Sequence, residues 1–146
     1  MKQKILMTIE NIKTRYGTLD PKQICDILNI SITKAELPKE TNGFYISMLG
    51  RKAIVINSSL SPTQEKYCLA HELGHALLHE ELNWAFLSQN TCFVTQKYER
   101  EADLFAVYLL LGQPIKEKLI GIPLQLISEK FCLPIESVKN WAQMAA

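Results

Sequence analysis

All three histidines of this chain, His71, His75 and His79, fall within nine residues, and the first two frame His71-Glu72-Leu73-Gly74-His75. This pattern constrains the fold because it is chemically useful only on a helix. Residues four apart on an α-helix lie about 6 Å apart along the axis and about 40° apart around it, so two imidazoles so spaced can converge on one ion. The flanking residues support a helix. Ser61-Pro62-Thr63-Gln64 supplies an N-cap, a proline at the first helical position and a capping-box glutamine, which predicts a helix over 62–80. Glu72 is about 100° round from His71 and stands beside such an ion. There it can take a proton from ion-bound water, whose pKa zinc lowers towards about 7.

Two ligands do not complete a site, since a catalytic zinc takes three protein ligands and keeps a fourth position open. The extended pattern H-E-x-x-H-x-x-G-x-x-H would need glycine at 78 and histidine at 81, where this chain has Leu78 and Glu81. His79 could ligate only if the helix bent, and reads as an exposed or supporting histidine. Cys68, one turn before His71, reads as core. The better third ligand lies in Glu99-Arg100-Glu101-Ala102-Asp103, on a second helix expected over 96–111 and ended by Gly112 and Pro114. Glu99 and Asp103 share a face, so Glu99 can reach the ion while Asp103 accepts from the free ring nitrogen of a ligating histidine. Glu101 points to another face and is the fallback ligand. The same charge run would equally suit a plain solvated helix face.

Around these helices the chain reads as one α+β domain, 1–146. Ile5, Ile9, Ile12 and Tyr16 recur at helical spacing before Gly17, and Asp20-Pro21-Lys22-Gln23 opens a short helix with a second capping box. Strand character follows over 30–37. Asn42-Gly43 signals a turn, and 44–49 with 53–57 around Gly50-Arg51 reads as a hairpin. A small antiparallel sheet packed on the histidine-bearing helix is therefore expected. Residues 83–95 read as irregular. Two short C-terminal helices are expected, one with Leu124, Ile127 and Phe131, the other opened by Pro134 with Val138 and Trp141.

Composition narrows the classes. Sixteen Lys and Arg against fifteen Asp and Glu leave no basic footprint for nucleic acid. No apolar run approaches the ~18 residues of a membrane helix. Cys25, Cys68, Cys92 and Cys132 form no C-x-x-C pair and sit among apolar neighbours, as reduced, buried thiols do. Glu10 and Lys13 interrupt any signal-peptide core at the N-terminus. The expected address is cytoplasmic.

Two segments together carry a family resemblance: Ala70-His71-Glu72-Leu73-Gly74-His75-Ala76-Leu77-Leu78-His79, then Glu99-Arg100-Glu101-Ala102-Asp103-Leu104-Phe105-Ala106 with Leu109-Leu110 beyond. Upstream, Gly43-Phe44-Tyr45 and Ala53-Ile54-Val55-Ile56-Asn57 fit the same order. The chain resembles the ImmA/IrrE family of zinc metallopeptidases over 20–114, with 115–146 as a short helical extension. The resemblance implies a thermolysin-like core in which His71, His75 and Glu99 bind Zn2+ and Glu72 is the catalytic base. It also implies a protein substrate, a helix-turn-helix repressor that is cut or antagonised to switch on a mobile-element or stress programme. The family's proline soon after the paired leucines is delayed here to Pro114. Residues 126–138 have a faint helix-turn-helix rhythm but no basic stripe, so no direct nucleic-acid contact is expected. A substrate peptide would add as a strand along the hairpin edge, with 53–57 as the lip. The alternative is a zinc-containing anti-repressor that sequesters its regulator without cutting it; the two readings part at Glu72.

Overall fold

The computed structural model describes residues 2–79 and 92–145. Helix α1 (Lys2–Tyr16) buries Ile5, Ile9 and Ile12, as its spacing demands, and ends where Gly17 adopts a φ of 69°. Helix α2 (Pro21–Ile27) begins at Asp20, whose side chain accepts from the Gln23 amide. Only half of the expected box forms here, because the Gln23 side chain pairs instead with the Thr18 hydroxyl. Three strands follow, β1 (Ile30–Ala35), β2 (Gly43–Met48) and β3 (Arg51–Asn57).

The sheet is mixed rather than wholly antiparallel. Its order is β1-β3-β2, with β2 antiparallel and β1 parallel to the central β3. Only the hairpin pair could be read locally; how β1 joins depends on the path of residues 36–42. Asn57, 3% exposed, holds that path. Its side-chain amide donates to the carbonyls of Leu37, Pro38 and Thr41. The hairpin turns on Leu49 and Gly50, at φ 51° and 77°, one residue earlier than expected. Two consecutive left-handed residues make the turn whose twist suits adjoining strands.

Ile54 and Ile56 point from β3 onto helix α3 (Pro62–Leu78), which carries the histidine pattern and opens with the complete capping box of Ser61 and Gln64. It ends two residues before the expected 80. Gly43 lets β2 seat against it: a Cβ there would lie 2.6 Å from the Val55 carbonyl oxygen and 2.7 Å from Cys68 Sγ. Neither neighbour has room to yield. Gly43→Ala should therefore cost about 1–3 kcal/mol, the usual cost of overpacking, measured by urea unfolding of the metal-free protein.

Helix α4 (Cys92–Leu111) packs along α3 and is the core's second long element. It takes in 92–95, expected to be irregular, as a continuous first turn of the helix. The rest of that stretch, 83–91, lies outside the described residues. The two helices approach closely at Gly74, where a Cβ would meet Phe105 at 3.0 Å and the Ala102 Cα at 3.3 Å. Three short helices follow rather than two: α5 (Lys116–Leu119), α6 (Leu124–Phe131) and α7 (Ile135–Ala142). Val138 and Trp141 bury against the core, and the Trp141 indole donates to the Gly112 carbonyl at 2.7 Å. Cys25 and Cys68 are buried free thiols; Cys132, expected inside, is exposed at a left-handed turn with φ 55°. Among the described residues no helix is long and apolar enough to cross a membrane.

Candidate active site

Helix α3 brings His71 and His75 onto one face, with ring centroids 4.9 Å apart. Helix α4 presents Glu99 to both. Its Oε2 lies 2.9 Å from His71 Nε2 and its Oε1 3.0 Å from His75 Nε2. Ligand atoms of all three side chains lie within 4.8 Å of one another, so the expected trio is assembled. The two imidazoles are largely buried, whereas the Glu99 side chain is 44% exposed, which opens the cluster to solvent on one side.

The cluster lies in a cleft of about 390 Å³ whose other wall is the edge strand β2 and the residues leading into it, from Glu40 to Tyr45. Glu72, 8% exposed, sits beside the trio with its Oε2 3.8 Å from His71 Nε2. Burial pushes its carboxyl above the usual range, despite the adjacent histidines and a hydrogen bond from the Tyr45 backbone amide. A carboxylate raised in this way is a stronger base than an exposed one.

Asp103 is brought against the other ring nitrogen of His71. Its Oδ1 lies 2.8 Å from His71 Nδ1, a charge contact rather than an aligned hydrogen bond. Burial opposes charge on the His71 ring, but Asp103 and Glu99 outweigh it and push the pKa up to about 10. Burial likewise opposes charge on Glu99, and the two histidines still hold it well below the carboxylate range.

The sequence reading overlooked Tyr67. Its hydroxyl donates to Asp103 Oδ1 at 2.5 Å and its ring leans on His71, with centroids 5.9 Å apart. The signal was present, since Tyr67 lies one helical turn before His71. Glu101, the fallback ligand, is outside the cluster. It is buried, and its Oε1 faces His79 Nε2 at 3.6 Å. His79 is buried rather than exposed and caps the C-terminus of α3. Burial, with His75 and Lys4 nearby, pushes its pKa down to about 4. Cys68 is core, as expected, and its sulfur borders the cleft.

This arrangement has relatives. The family model of the IrrE N-terminal-like domain, peptidase M78, matches residues 25–115. An uncharacterized immunity region protein 2 of Bacillus phage phi105 is 38% identical over 107 residues, spanning 73% of this chain and 68% of the phage protein. Metallopeptidase ImmA of Bacillus subtilis (strain 168) is 30% identical over 103 residues, 70% of this chain and 60% of its own length. A solved Mycobacterium tuberculosis transcriptional regulator superposes with a TM-score of 0.62 at 19% identity, covering 92% of this chain and 45% of that one. At that identity the likeness is one of fold. The matched segment contains both halves of the cleft's polar cluster, and on that ground the chain belongs to the peptidase M78 family of IrrE N-terminal-like domains.

Proposed function

We propose that this chain is a zinc-dependent endopeptidase in which His71, His75 and Glu99 hold the ion and Glu72 is the general base. The observation that carries the reading is a buried, raised-pKa carboxylate beside a convergent trio of two imidazoles and one carboxylate. The trio fits zinc: its donors match a catalytic site, and the exposed flank of Glu99 leaves room for a fourth position. Bound there, zinc supplies Lewis acidity towards a carbonyl and acidifies water. The residues do the rest. Glu72 takes the water's proton and passes it to the leaving amine, while Asp103, itself held by Tyr67, keeps the His71 ring in register.

The substrate is proposed to be a helix-turn-helix repressor in the cytoplasm, bound as an extended segment. The lip, however, is not 53–57. Strand β3 is central and paired on both sides, so among the described residues the strand that borders the cleft with an open edge is β2, Gly43–Met48. Support for a regulatory partner comes from the phage relative's name as an immunity region protein, and support for cleavage from ImmA's as a metallopeptidase. Incubating the chain and zinc with a helix-turn-helix regulator encoded beside its gene should give two discrete fragments, suppressed by chelator. An intact regulator after prolonged incubation would remove that substrate.

Zinc uptake should also displace the proton that Asp103 and Glu99 hold on His71. With a His71 pKa near 10, zinc affinity should rise with pH from neutrality until about pH 10 and flatten above it. Calorimetry at pH 7.5 in buffers of different ionisation enthalpy should report release of that proton on binding. A pH-independent affinity from pH 7 to 9 would contradict this assignment.

A further inference from the structure

His79 and Glu101 are buried, polar and unused by the proposed chemistry, yet they sit on the two helices that carry the cluster. His79 caps helix α3, its amide donating to the His75 carbonyl at 3.0 Å, and Lys4 Nζ donates to the Leu78 carbonyl alongside. The ring of His79 turns back over the last helical turn. It lies 5.2 Å from the His75 ring on one side and 4.6 Å from the Tyr98 ring on the other. Its Nδ1 is 3.0 Å from His75 Nδ1. Its Nε2 is buried without a hydrogen-bond partner and has the Glu101 carboxylate 3.6 Å away.

Two nitrogens at 3.0 Å share one hydrogen, and the geometry decides whose it is. His75 presents Nε2 to the cluster, so that nitrogen must keep its lone pair for an ion. The ring hydrogen of His75 is then on Nδ1 and is donated to His79 Nδ1. His79 must accept there, which places its own hydrogen on Nε2, facing Glu101. Each ligating histidine thus has a supporting group behind it: Asp103 behind His71, and an imidazole backed by a carboxylate behind His75.

We infer that His79 is a positioning residue, which accepts the Nδ1 hydrogen of His75 and is held in the matching tautomer by Glu101. This inference rests on the proposed zinc site. It also explains why a third histidine stands one turn past the ligands without being one. Loss of such a partner weakens metal binding by about 10–100-fold.

The test is zinc affinity, measured by competition with a chromogenic chelator, for wild type, His79→Leu and His79→Asn. Asparagine can place an amide oxygen near the position of Nδ1, whereas leucine fills the space without accepting. His79→Leu should lose about 10–100-fold in zinc affinity and His79→Asn should regain most of it. In zinc-loaded wild type, long-range 1H–15N correlation should show His75 protonated at Nδ1 and His79 at Nε2 only. Unchanged zinc affinity in His79→Leu, or no recovery in His79→Asn, overturns the inference. So does a proton on His79 Nδ1, a reading on wild type that stands even if His79→Leu fails to fold. Wild type that binds no zinc overturns the zinc site itself and the inference with it.

Discussion

Glu72→Gln should leave zinc content unchanged and lower the cleavage rate by about 10²–10⁴-fold, the contribution of a positioned general base. The substitution suits the question because it preserves shape. An amide oxygen can still accept from the Tyr45 backbone amide, and no ligand to the ion is touched. Stability should not suffer either. A carboxyl whose pKa is raised by folding stabilises the folded state below its ordinary value of 4.5 and loses that contribution as pH rises through the folded value. At neutral pH the buried charge is therefore a cost, and metal-free Glu72→Gln should unfold at no lower urea concentration than wild type. Two assays check this: zinc stoichiometry, and fragment formation from the regulator. A variant that no longer cuts but still relieves repression would show that the chain acts by holding its partner. One that cuts at the wild-type rate would remove Glu72 from the chemistry.

Removing Glu99 should have the second large effect. Glu99→Ala takes away a ligand rather than a support, so its zinc affinity should fall beyond the ~10–100-fold expected for lost supporting contacts. The metal-free protein should respond as well, the loss of stability shrinking towards both ends of the pH scale. Glu99 has a depressed pKa, so its contribution is present above about 4.5 and fades as acid is added. His71 has a raised pKa, so its contribution is full below about 6.5 and is lost as pH climbs towards about 10. Their mutual stabilisation is therefore greatest between roughly pH 4.5 and 6.5. Urea midpoints for metal-free wild type minus Glu99→Ala should peak in that window. A difference that is flat from pH 4 to 9 would mean that the ring and the carboxylate do not interact.

Much of the site was legible because its logic is local. The box of Ser61 and Gln64 announces α3, four-residue spacing pairs His71 with His75 and Glu99 with Asp103, and both pairs meet where those spacings point. What escaped depends on how the chain closes on itself. That β1 lies parallel to β3 depends on the path of 36–42, which Asn57 holds from beyond it through the carbonyls of Leu37, Pro38 and Thr41. The open edge fell to β2 for the same reason. His79 and Glu101 carry no mutual signal in sequence, being 22 positions apart, and only the close approach at Gly74 makes them neighbours. Tyr67 was readable by spacing, but an aromatic one turn before a histidine is ordinary core until its hydroxyl finds Asp103.

The grip of Asn57 has one more consequence. It holds Leu37, Pro38 and Thr41 by their main-chain oxygens, which every amino acid possesses. The side chains of Glu40 and Thr41, which line the cleft, can therefore be exchanged one at a time while the backbone beneath them stays anchored. The cluster of His71, His75 and Glu99, held between α3 and α4, takes no part in those anchoring bonds. Under the proposed function, such a scaffold would exchange targets while keeping its reaction.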